Sequence, residues 1–175
     1  MNTGVRRGTR ADVEALSAFM AKTFDDTFGP DNRPEDMRAH LGKAYGIAQQ
    51  SKELADPDVV TLVVERDGAL IAYAQVRRNT PPPCVKHESP VELHRIYVDK
   101  PGHGAGIAQQ LMDECKNVGR ELGGAHLWLC VWEHNPRAQA FYAKMGFTDV
   151  GSTFFYVGPD RQTDRVLVAR IAPAG

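Results

Sequence analysis

The chain has 175 residues, a length that fits one domain with a sizeable core. Its hydrophobic fraction of 42% and charged fraction of 25% are those of a water-soluble globular protein, and a formal net charge of −1 argues against non-specific attraction to nucleic acid or an anionic membrane. No apolar stretch approaches a membrane span, no signal-peptide core follows Met1, and the widely spaced Cys84, Cys115 and Cys130 make neither a disulfide framework nor a metal-ligand pair. The expectation is one cytoplasmic domain over residues 1–175, a monomer or homodimer, with no metal, no nucleic acid and no membrane as partner.

Residues 5–9 read as a short first strand. Thr9 or Asp12 can start a helix, because Val13, Leu16, Met20 and Phe24 fall near helical spacing. Pro30 and Pro34 interrupt, and a second helical region runs from about residue 35 to 50, weakened by Gly42 and Gly46. Residues 61–65 and 70–76 read as two strands, joined at the hairpin signal Asp67-Gly68. Thr80-Pro81-Pro82-Pro83 is a loop between elements rather than a domain boundary. Residues 91–98 form the next strand, and its pattern slips: Val91 and Leu93 share one parity, Ile96 and Val98 the other. Either a β-bulge lies near His94-Arg95, or the strand is buried on both faces and parity carries no information. Residues 126–132 are almost continuously apolar, as in a central strand. Asn135-Pro136 then supplies an N-cap and a first helical residue. Ala138, Phe141, Tyr142 and Met145 share a face of that helix, and Gly146 ends it. Residues 147–150 and 165–171 close the chain as strands. The order predicts an α/β fold, a mixed sheet with helices packed on it.

Between the strand ending at Val98 and the following helix stands Asp99-Lys100-Pro101-Gly102-His103-Gly104-Ala105-Gly106-Ile107-Ala108. Alternate glycines let the backbone turn tightly and aim several N–H groups at one point. A helix N-terminus behind such a turn is an anion site suited to a diphosphate. A dinucleotide fingerprint fails in both registers, since Ile107 or Gln109 occupies the third glycine position, and no Gly-Lys-Ser/Thr follows as a Walker loop requires. Taken alone, the turn is read equally well as a ligand-free connection.

His103-Gly104-Ala105-Gly106-Ile107-Ala108 resembles the Arg/Gln-x-x-Gly-x-Gly/Ala motif of the GCN5-related N-acetyltransferases (GNAT), and residues 135–147 resemble the second half of that family's signature. Phe154-Phe155-Tyr156-Val157-Gly158 and Gln162-Thr163-Asp164 are similar to the polyamine-acetylating, PaiA-like branch. The resemblance implies the GNAT fold: a central, mostly antiparallel sheet with a bulged, splayed central strand and helices on both faces. It also implies acetyl-CoA as cosubstrate and a small-molecule amine as acceptor, a polyamine such as spermidine in the PaiA-like branch. One departure is His103, where the family carries Arg or Gln to fix the turn and contact the pyrophosphate.

An amine acceptor must lose a proton, a developing oxyanion needs a donor, and a departing thiolate is helped by an acid. The resemblance implies Tyr142 as that acid, near the coenzyme sulfur; by pattern alone Tyr142 is a core aromatic. Glu92, before the expected bulge, is the candidate base through a water, with a solvent-facing or salt-bridged strand residue, paired for instance with Arg95, as its plain structural reading and His94 as a rival base. For the cofactor, the resemblance implies backbone N–H groups of Ile96, Tyr97 and Val98, the turn from His103 through Gly104, Ala105, Gly106, Ile107 and Ala108, and then Asn135, Ala138, Tyr142 and Lys144. For the acceptor it implies Phe24, Asp25 and Phe28 together with Glu92 and His94. The other acceptors weighed are an amino acid, an aminoglycoside or a protein N-terminus, and the rival from another class is a CoA-binding sensor without turnover.

Overall fold

The computed structural model describes residues 4–28, 30, 32–104 and 106–172, the side chains of residues 27, 28, 39, 42, 101 and 157 excepted. Ala105 and the side chain of Phe28, both named above, lie outside the described residues.

Strands β1 (Val5–Arg7), β2 (Val59–Arg66), β3 (Ala69–Arg77), β4 (Pro90–Val98), β5 (His126–Trp132), β6 (Thr148–Val157) and β7 (Asp160–Arg170) form one sheet ordered β1-β2-β3-β4-β5-β7-β6. Neighbours are antiparallel except β4 and β5, which run parallel. The β2–β3 hairpin turns on Asp67 and Gly68, both at positive φ (54° and 80°), the backbone of a type I′ turn.

Adjacent strand residues point to opposite faces, and the helices divide accordingly. Helix α4 (Ile107–Glu121) buries Leu111, Met112, Cys115 and Val118 against Leu62, Val64 and Ile71. Helix α5 (Pro136–Lys144) rests Ala138, Phe141 and Tyr142 on the same core. Each fully buried Leu or Met here contributes about 1.5–3 kcal/mol. The other face takes α1 (Val13–Phe28), α2 (Pro34–Tyr45) and α3 (Ile47–Ala55), with Leu16, Phe19, Met20 and Tyr45 packed on Val63 and Tyr73. Trp128, Val166, Val168 and Val85 make a smaller core.

Two expectations need correction. The helical region over residues 35–50 is two helices, broken at Gly46, whose extended backbone (φ −63°, ψ 158°) lets α3 turn Gln50 and Glu53 inward and continue to Ala55. The last two strands are also longer than residues 147–150 and 165–171, because an irregularity between Asp149 and Gly151 re-registers β6 and the pairing then runs out to Val157 and Asp160.

Strand β4 carries the bulge. Gln75 pairs with Arg95 and Val76 with Leu93, so His94 is the extra residue. The insertion returns Val91, Leu93, Ile96 and Val98 to one core, which accounts for the parity slip. Strands β4 and β5 pair only at Pro90–His126, Val91–Leu127 and Glu92–Trp128, then continue apart to Val98 and Trp132. The sheet is split open at its centre. Among the described residues, no helix is long and apolar enough to cross a membrane.

Candidate active site

A cavity of about 800 Å³ runs through the opening between β4 and β5. On the α4–α5 face it is lined by Val98, the glycine turn, Ile107 and Ala108, with Asn135, Ala138 and Tyr142 of the α5 segment. On the opposite face it is lined by Phe24, His40, Tyr45, Phe155 and Asp164. Glu92, His94, Ile96 and Tyr97 also line it.

The turn is built by short-range bonds. Gly102 N–H donates to the Asp99 carbonyl (2.9 Å) and His103 N–H to the Lys100 carbonyl (3.0 Å). The His103 side chain folds back so that Nε2 lies 2.8 Å from the Val98 carbonyl; a carbonyl only accepts, so Nε2 carries the proton. His103 thus ties the turn to the end of β4, the fixing role that its departure from Arg or Gln left open. Gly104 and Gly106 hold φ of 80° and 74°, a region costly for a side-chain-bearing residue. The N–H groups of the first turn of α4 have no intrahelical acceptors, as at any helix start, and they end at the cavity wall.

Helix α5 is held by hydrogen bonds at both ends. The Asn135 side chain accepts from Ala138 N–H (3.2 Å), the expected cap. Gln139 Nε2 donates to the Glu133 carbonyl (3.0 Å), and Lys116 Nζ of α4 donates to the Met145 carbonyl at the far end (2.7 Å). The helix therefore presents Tyr142 from a fixed base. Burial holds the Tyr142 phenol well above its usual range, so it is a protonated donor.

On β4, Glu92 is buried and ion-paired with Arg77, and Asn79 Nδ2 also reaches its Oε1 (3.3 Å). The suggested Glu92–Arg95 pair is not formed. Arg95 lies instead against Glu53 (3.2 Å), hydrogen-bonds Gln75 and covers the Tyr45 ring at 4.8 Å. Burial, then the positive charges of Arg95 and Arg77, hold the His94 imidazole well below its usual range, so it is neutral near pH 7. Burial pushes the Cys130 thiol up to about 12.

Residues 19–147 match the Acetyltransferase (GNAT) family. The chain belongs to this family. It is a GNAT N-acetyltransferase. It is 35% identical to an uncharacterized N-acetyltransferase of Lactobacillus delbrueckii subsp. lactis, over 94% of this chain and 96% of that one. It is 30% identical to the N-alpha-acetyltransferase RimI of Mycobacterium tuberculosis, over 82% of this chain and 77% of that one. The PaiA N-acetyltransferase of Thermoplasma acidophilum, solved in complex with coenzyme A, shares the fold with a TM-score of 0.77 at 18% identity, covering 97% of this chain and 99% of that one.

Within this GNAT framework most of the residues singled out in the sequence meet at one cavity: Phe24, Glu92, His94, Ile96, Tyr97, Val98, His103, Gly104, Gly106, Ile107, Ala108, Asn135, Ala138 and Tyr142 all line it. Two do not. Asp25 is exposed on α1 and Lys144 is exposed at the end of α5, and neither is among the lining residues. Both sit on the solvent side of a helix whose apolar face is turned inward. Sequence reasoning missed Arg77, His40 and Tyr45, and it quoted Asp164 within the Gln162-Thr163-Asp164 resemblance without giving it a site role. Of these only Asp164 left a signal: it shares strand parity with Val166 and Val168, a carboxylate at an inward position. It is 6% exposed. Burial, with a smaller push from the Glu133 carboxylate, raises its pKa to about 6. Among the described residues no grouping of His, Cys, Asp and Glu is arranged to hold a metal.

Proposed function

We propose that the protein moves an acetyl group from acetyl-CoA to a primary amine of a small cationic acceptor, a polyamine such as spermidine, by direct attack in a ternary complex. The observation that carries this reading is the glycine turn opening directly into the gap between β4 and β5, with Tyr142 beside it. The fit to acetyl-CoA rests on the chain's own features. The N–H groups of the cavity-lining Gly104, Gly106, Ile107 and Ala108 suit a diphosphate, and the unpaired length of the split sheet suits an extended amide-containing arm. Acetyl-CoA supplies an activated thioester acyl group.

The side chains then divide the work. Backbone N–H groups of β4 beyond the bulge, from Ile96 to Val98, lack a β5 ladder partner and serve the thioester carbonyl as donors. Tyr142, held protonated, gives its proton to the departing sulfur. Glu92 takes the amine proton through a water; Arg77 and Asn79 both bind its Oε1 and orient it. His94, neutral near pH 7, is the second base within the cavity. Cys130 has a thiol too weakly acidic to act as a nucleophile, which supports transfer without an acyl-enzyme.

A second reading is favoured by the relative named for N-alpha acetylation: the acceptor is a protein N-terminal amine. An amine panel with detection of released thiol separates the two. Turnover with spermidine supports the first reading, and turnover only with peptide N-termini supports the second. Coenzyme binding without turnover of any amine overturns both.

A further inference from the structure

Asp164 is a carboxylate on the acceptor face that forms no ion pair among the described residues. Its Oδ1 is buried and has no hydrogen-bond partner among the described residues, while the side chain lines the cavity. Two arginines that line the cavity with it are engaged elsewhere: Arg77 pairs with Glu92 and Arg95 with Glu53. The ionisable groups that interact with it are Glu133, of like sign, and Cys130, whose thiol stays neutral. An unpaired buried carboxylate costs free energy unless a cation or donors arrive from elsewhere.

The strand order says which cation. Asp164 lies opposite Trp132 on β7, and β7 is one strand beyond β5. The opening between β4 and β5 is on the other side of β5. Neighbouring strands are about 4.8 Å apart, so Asp164 stands at least that far across the cavity from the opening. A carboxylate there meets a second charge of the acceptor, separated from the reacting nitrogen by a short alkyl spacer. Phe24, His40 and Phe155 bound the same side, with ring centroids 4.5–6.3 Å apart, and give the spacer an apolar wall.

We propose that Asp164 is a specificity-determining residue that binds the non-reacting ammonium of a diamine or polyamine acceptor. This deepens the acetyl-transfer reading above and rests on it for the position of the reacting nitrogen. A buried charge-assisted hydrogen bond of this kind supports about a tenfold preference for the second charge.

The test compares 1,4-diaminobutane with butylamine on the full chain in the presence of CoA. Binding is read by calorimetry and turnover by thiol release, for the wild type and Asp164→Asn. The expected wild type binds the diamine about tenfold more tightly than the monoamine, and in the variant the ratio of the two Kd values falls toward one, with the loss appearing in KM rather than kcat for the diamine. A ratio unchanged by the substitution, or a wild type with no preference for the diamine, overturns the proposal. If the wild type acetylates amines with no such preference, the transfer reading stands and Asp164 loses its role. If it binds the diamine through Asp164 but transfers no acetyl group, Asp164 keeps its role and the transfer reading falls.

Discussion

Tyr142 is enclosed by Phe141 and Phe147, with ring centroids 5.5 and 5.8 Å away, and its phenol is kept protonated by burial. Removing only the hydroxyl preserves this packing, so Tyr142→Phe separates chemistry from structure. The expected result is a fall in kcat of about 10²-fold, with KM for acetyl-CoA and Tm little changed. Full turnover by that variant removes the acid role. Asp164 makes a prediction about stability as well. Its folded pKa, about 6, lies above the unfolded value, so the folded chain holds this proton more tightly than the unfolded chain does. Ionisation therefore costs stability above about pH 6, and protonation recovers it as pH falls toward 4. Allowing for solvent screening, the cost is about 1–2 kcal/mol. In the ligand-free protein Asp164→Asn is expected to melt a few degrees above wild type at pH 8, with the gap closing near pH 4. Thermal unfolding at the two pH values checks the sign.

At the scale of elements, the turn before α4 depends on its glycines for conformation rather than for room: a Cβ on Gly106 would meet nothing within 4 Å, yet its φ of 74° is in the left-handed region. Gly106→Ala is expected to cost about 1–2 kcal/mol of stability and to raise KM for acetyl-CoA about tenfold, with a smaller effect on kcat. Steady-state kinetics with unfolding measurements tests this. These same elements show where the sequence was legible. Asp67-Gly68, Asn135-Pro136 and the apolar run of β5 are decided by neighbours along the chain, and all appear where their local chemistry puts them. The parity slip in β4 was readable because a bulge changes which residues share a face. The break at Gly46 was less so, since one glycine weakens a helix without saying whether it ends. The length of β6 and β7 was hidden by an irregularity at Gly151 and by the polar residues 160–165 of an outer hairpin.

At the scale of the whole molecule, the sheet is opened from the centre and approached from two faces. One side of the cavity comes from consecutive chain, β4 to α4, and was legible for that reason. The other side is assembled from residues 24, 40, 45, 155 and 164, which no local pattern connects. The ion pair of Glu92 with Arg77 instead of Arg95 has the same origin: sheet register, not sequence distance, chooses the partner. A ligand that joins these parts stabilises all of them together. CoA at about 100 times its Kd is expected to add about 2.7 kcal/mol to the folded state and to raise Tm by roughly 5–10 °C, as a thermal shift titration would show. The place where that ligand sits decides which residues can act on the thioester. A crystal structure with CoA bound is the most direct measurement. The predicted result has the diphosphate on the N–H groups of Gly104 and Gly106 to Ala108, the pantetheine arm between β4 and β5, and the thiol within hydrogen-bond reach of the Tyr142 hydroxyl. A diphosphate bound elsewhere, or a thiol that never enters the gap between the two strands, would contradict it.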